Sequence, residues 1–182
     1  IVKRRHGGFT VVCGFRRLAA CRQLDSRLVT CQVLPEGCPL PVCAKIAVAD
    51  NSARRRLNPV ELSRAYRLLA GTLSSMQEVR GIAGEIGLPS SQELIDKLWD
   101  LCEAAEQVQQ GIVDERIALP VALDLIRLPQ EASAAAAGLL ISVPFSLNRQ
   151  REVLSLVREI ARREGLDLSA VVRDPELMQD RK

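Results

Sequence analysis

Gly14, Arg16 and Arg17 stand in the run Val12-Cys13-Gly14-Phe15-Arg16-Arg17-Leu18-Ala19-Ala20, where a strand-like stretch meets a glycine turn and then a helical pattern. The chemistry such a junction offers is anion binding. The first amides of a helix have no partner inside it, the helix dipole favours negative charge there, and two guanidiniums can each grip phosphate oxygens in fork geometry. An arginine pair solvated on a surface helix would use the same residues, so the surrounding sequence decides.

Charge distribution favours the anion. The net charge of the 182-residue chain is +3, yet residues 1–67 hold 13 Lys+Arg against 4 Asp+Glu, a net of +9, and the remainder is net −6. Such asymmetry points to a polyanion, nucleotide or nucleic acid, at the basic end. Hydrophobic residues make up 47% of the chain and aromatics 3%, so the chain folds around aliphatic side chains and is not a disordered one. No apolar run reaches membrane-spanning length, which predicts no membrane partner. Five of the six cysteines precede residue 44, and no Cys-x-x-Cys occurs. Cys38 and Cys43, four residues between them, with His6 as the lone imidazole, make a poor zinc set. Cys13 and Cys31 read as small buried hydrophobes in strands, and His6 and Trp99 as structural residues.

Several elements must position these groups. Ile1–Lys3 and Phe9–Cys13 read as a hairpin around Gly7-Gly8, and Ile1 reads as mid-strand, which predicts a preceding segment. A helix follows over about 15–24, then a strand over 28–34 and a helix over 40–53. Asn58 is placed to cap the next helix, with Pro59 in its first turn and Glu61 at the third position. Beyond residue 75 the pattern is helical. Residues 76–86, the breaker Gly87-Leu88-Pro89, and a second helix running from Ser90 or Ser91 to Cys102 read as a helix-turn-helix at about 76–103. Further helices are expected at 104–110, 118–127, 131–141 and 148–164, with Gly165 as C-cap. The expectation is an α+β protein: a small mixed-sheet domain over 1–74 and an all-α domain over 75–182.

The order of these motifs, hairpin, Gly-Phe-Arg-Arg-Leu-Ala-Ala, strand, helix, Asp50-Asn51-Ser52-Ala53-Arg54, Leu57-Asn58-Pro59-Val60-Glu61 and helix-turn-helix, resembles the ParB family of chromosome and plasmid partition proteins. The resemblance covers most of the chain. It implies a DNA-binding partition protein or transcription regulator, cytoplasmic and associated with the bacterial nucleoid, whose N-terminal domain binds CTP with Mg2+ as the switch of a homodimer. Gly14, Phe15, Arg16, Arg17 and Arg54 would then stand at the triphosphate, and Asn51 and Asp50 at the metal. Phe15 replaces the acidic residue of the family's first box and Asp50 the glutamate of its second. Loss of one carboxylate and shortening of another favour binding over CTP hydrolysis. A nuclease or phosphotransferase on the same fold would draw on more carboxylates than the sequence offers near these residues, and an interaction protein without turnover is a further alternative.

The DNA side is divided. Ser90, Ser91 and Gln92 can read base edges and Lys97 can meet a phosphate. Residues 78–136, however, hold 11 acidic groups against 4 basic ones, which opposes approach to DNA. A packed helical scaffold explains the same motif.

Overall fold

A computed structural model describes residues 1–174. The last residues of the expected helical domain, 175–182, lie outside the described residues. A small sheet opens the chain: β1 (Val2–Arg5) pairs antiparallel with β2 (Gly8–Val11) and parallel with β3 (Val33–Leu34), in the order β2-β1-β3. With helices making up most of the remaining chain, the fold is α+β with a mixed sheet, as the sequence implies. The helices are α1 (Phe15–Gln23), α2 (Leu40–Ser52), α3 (Pro59–Ala70), α4 (Met76–Glu85), α5 (Gln92–Leu98), α6 (Glu106–Val113), α7 (Leu119–Leu125), α8 (Gln130–Ser142), α9 (Leu147–Glu164) and α10 (Leu168–Arg173).

The hairpin closes where Gly7 takes φ 78°, a conformation open to glycine without strain. The expected strand over 28–34 is reduced to Val33-Leu34, which pair with Val2 and Lys3. Residues 28–31 have no ladder to join, since the pairing begins where the Gln32 carbonyl accepts from the Val2 amide at 2.9 Å, and Leu28 is left 92% exposed. A strand's preference is a preference for a half-buried pleated surface, and without one it is not realised. Cys31, expected to be buried in this strand, is exposed, whereas Cys13 is buried as anticipated but lies past the end of β2 at Val11.

The chain divides into two compact units, residues Ile1–Leu57 with Ala65–Gln92, and residues Asn58–Arg64 with those from Glu93 onward. The first has a thin core of Cys13, Cys43, Ala44, Val48, Tyr66, Leu69, Val79, Ala83 and Leu88. Tyr66 is fully buried, its hydroxyl donates to the Pro89 carbonyl at 2.8 Å, and burial pushes its pKa up. Helix α1 contributes no buried residue.

In the second unit α8 packs with α6, α7 and α10, and α9 with α7 and α10. Its core side chains are mostly aliphatic, Ile95, Leu98, Val108, Val121, Leu125, Leu140 and Val157 among them. Two buried polar side chains tie loops to this core. The Ser63 hydroxyl donates to the Trp99 carbonyl at 3.0 Å and accepts from the Cys102 amide at 3.1 Å. Gln150 accepts from the Ala118 amide and donates to the carbonyls of Arg116 and Phe145. The second helix of the expected helix-turn-helix is shorter than the sequence suggests. It ends at Leu98, and Leu101–Glu103 form a separate 3-10 turn whose backbone Ser63 holds.

At the head of α3 the Asn58 side chain accepts from the Glu61 amide at 2.9 Å and Glu61 accepts from the Asn58 amide at 3.0 Å, the reciprocal capping box expected from sequence. Asn58→Ala is expected to lower stability by about 1 kcal/mol. Chemical denaturation read by circular dichroism checks this, and an unchanged midpoint would discount the cap.

Candidate functional site

The site is built on two helix ends brought together within the first unit. Gly14 is the N-cap of α1, with φ 93° and ψ 22°, a left-handed conformation that strains any residue with a Cβ. No side chain caps this end, so the first amides of α1 keep their donors free of a cap. The Arg17 side chain folds back over Gly14: a Cβ added there would lie 3.4 Å from Nη2. A methyl group would crowd that guanidinium.

Asp50, in the last turn of α2, faces the same guanidinium. Its Oδ2 is 3.6 Å from Arg17 Nη2 and its Oδ1 is 3.7 Å from Arg54 Nη2, so one half-buried carboxylate bridges two exposed arginines. Ion pairs this long and this exposed contribute about 0–1 kcal/mol each. They hold the guanidiniums loosely, and an incoming anion that outbids the carboxylate displaces it at small cost. Arg17 and Asp50 are far apart in sequence, and only the fold makes them neighbours.

The remaining residues are placed differently. Arg16 is exposed and forms no ion pair among the described residues. Phe15 is 62% exposed. Asn51 is exposed, and its amide nitrogen donates to the Ala47 carbonyl one turn back at 3.0 Å. Its carbonyl oxygen is the atom left for a metal. Asp50 and Asn51 together offer one carboxylate and one amide oxygen. That donor set suits Mg2+, which commonly takes one or two protein oxygens and completes its shell with phosphate and water.

A second group of polar side chains gathers between α4 and the segment that follows it. Gln77, Arg80 and Gly81 of α4 line an open depression of about 460 Å3 with Ser90 and Gln92. Arg80 Nε donates to the Ser90 carbonyl at 3.0 Å, and Gly87 turns the chain with φ 74°. Of the residues expected to meet DNA, Ser90 and Gln92 are thus together here, and Ser91 lies exposed between them. Gln77 and Arg80 join the group although the sequence reading gave them no role. Their spacing of three puts both on one helical face, a signal that was available. Lys97 is engaged elsewhere: its ammonium contacts Glu93 one turn earlier on α5, and this draws the Glu93 pKa down.

Comparison with known proteins adds one relative and no family. No family model matches the chain. Over 130 residues, 70% of its length, the chain is 28% identical to the nucleoid occlusion protein of Listeria monocytogenes serotype 4a (strain HCC23). The matched region spans 42% of that relative. Among the described residues no helix is long and apolar enough to cross a membrane.

Proposed function

We propose that this chain is part of a ParB-like DNA-binding protein of the nucleoid that binds CTP with Mg2+ and uses the nucleotide to bias a homodimer. The observation that carries the nucleotide reading is the Arg17-Asp50-Arg54 cluster beside the glycine cap of α1. Two guanidiniums and uncapped helix amides on one side of the first unit match the charge and donor pattern of a triphosphate. Asp50 and Asn51 would hold the Mg2+, whose contribution is to neutralise phosphate charge; Phe15, where an acidic residue could orient water, favours binding over hydrolysis. Likeness to a nucleoid occlusion protein supports the chromosomal setting. The Ser90-Gln92 segment with Gln77 and Arg80 is the surface offered to DNA.

A second reading, an interaction protein that has kept the fold without DNA contact, is favoured by one observation: Lys97, the cation of α5, is paired with Glu93. Titration of the purified chain with labelled CTP and ATP, with and without Mg2+, tests the first reading. The expected result is CTP binding that requires Mg2+ and is not matched by ATP, and no binding of either nucleotide would overturn it. A salt titration with duplex DNA separates the two readings. Binding that weakens steeply with salt supports DNA contact, and no affinity at low ionic strength supports the interaction protein.

A further inference from the structure

Cys38 and Cys43 bracket the entry to α2, and their Sγ atoms are 3.8 Å apart. We propose that these two thiols form a reversible intrachain disulfide when the protein meets a hydroperoxide. The two sulfurs are in van der Waals contact, and closing to a disulfide bond shortens their separation by about 1.8 Å. Prolines at 39 and 41 lie between them, with φ −62° at Pro39, so the connecting backbone is already restricted to few conformations. A Pro35–Cys38 turn, closed by the Cys38 amide donating to the Pro35 carbonyl at 3.0 Å, fixes the other side. Little freedom is left to lose on closure.

The two sulfurs have distinct roles. Cys38 is half-buried and can be reached, while Cys43 is buried. Burial and the hydrogen bond to Cys38 raise the Cys43 pKa, against a smaller opposing effect of Lys3. The Cys38 sulfur attacks one peroxide oxygen, the O–O bond breaks, and water leaves to give a sulfenic acid. Cys43 Sγ then attacks Cys38 Sγ, the S–O bond breaks, and a second water departs with the Cys43 proton. Two thiols are oxidised by two electrons and one hydrogen peroxide is reduced to two waters. The remaining cysteines, Cys13, Cys21, Cys31 and Cys102, have no sulfur partner at this distance among the described residues.

Peptide mapping decides the matter. The chain is treated with one equivalent of hydrogen peroxide, free thiols are alkylated, and cleavage after Glu36 and Lys45 releases residues 37–45, which separates Cys38 and Cys43 from Cys31. The expected product is an unalkylated 37–45 peptide about 2 Da lighter than its dithiol form, which dithiothreitol returns to the dithiol. Cys38→Ser should remove this product and leave Cys43 alkylatable. Because Cys43 is buried and its replacement can perturb folding, phenylarsine oxide, which bridges two thiols in contact, serves as the second measurement on the unaltered chain. One equivalent bound by wild type and none by Cys38→Ser supports the pair. A doubly alkylated 37–45 peptide after peroxide treatment, a disulfide to Cys31 instead, or no arsenical bound by wild type would overturn it.

Discussion

Arg17→Ala is expected to raise the dissociation constant for CTP with Mg2+ about 10- to 100-fold, the range that follows from losing charge-assisted hydrogen bonds of about 1.5–3 kcal/mol. The reason lies in the geometry of α1. Arg17 is the arginine of the Arg16-Arg17 pair that reaches Asp50, so its guanidinium stands where the basic groups of α1 and of residue 54 converge. Folding stability should hardly change, because the side chain is 63% exposed and its ion pair is long. Arg17→Lys keeps the charge but not the planar fork, and it should recover only part of the affinity. Isothermal titration calorimetry on wild type and both variants checks this; equal affinities would remove Arg17 from the site.

Gly111→Ala is the substitution with the largest expected structural effect. A Cβ at residue 111 would lie 2.5 Å from Ile117 Cδ1 and 2.6 Å from Cγ1, separations that real Cβ atoms essentially never show. Ile117 is itself 3% exposed and branched at Cβ, so it has little room to rotate away. The Gly111 carbonyl also accepts from the amides of Arg116 and Ile117 at 2.8 and 2.9 Å, which fixes the turn that follows α6. Overpacking of this kind costs about 1–3 kcal/mol, against a gain of up to about 1 kcal/mol from replacing a helical glycine. The net loss should appear as a lower midpoint in thermal or urea unfolding. Ile117→Ala in the same background relieves the clash, and the double variant should lose less than the sum of the two single losses.

Local signals carried far in this sequence where the physics was itself local. The hairpin, the glycine start of α1, the capping box of Asn58 and Glu61, and the Gly165 end of α9 rest on residues a few positions apart, and each stands where the sequence puts it. The strand over 28–34 failed because its apolar residues needed a partner that no local pattern guarantees. Helix α5 stopped at Leu98 because Ser63, far back in the chain, holds the backbone at 99–102. Helix α10 was not anticipated, although Asp167 caps it through the Ser169 amide at 2.7 Å and so left a signal. At the candidate site the types of residue were legible and their meeting was not. Gly14 and Arg17 could be named from motif chemistry and Asp50 and Arg54 from the family resemblance, but the bridge of Asp50 between two arginines depends on where the fold sets the end of α2 beside α1. The Cys38-Cys43 contact belongs to the same class: the spacing was visible as a weak metal pattern, and the sulfur-to-sulfur distance came from the turn and prolines between them.

Helix α1 buries none of its nine residues, and this sets how its arginines would respond to an anion. A helix of that length is marginal by its own backbone bonds, since nucleation is costly and little packing subsidises it. Its local opening should therefore be among the easiest in the chain. An anion gripping the α1 amides and Arg17 would act as the helix's missing core, and part of the binding free energy would go into suppressing that opening. Affinity measured at such a site would then report two quantities at once, the strength of the contacts and the order they impose.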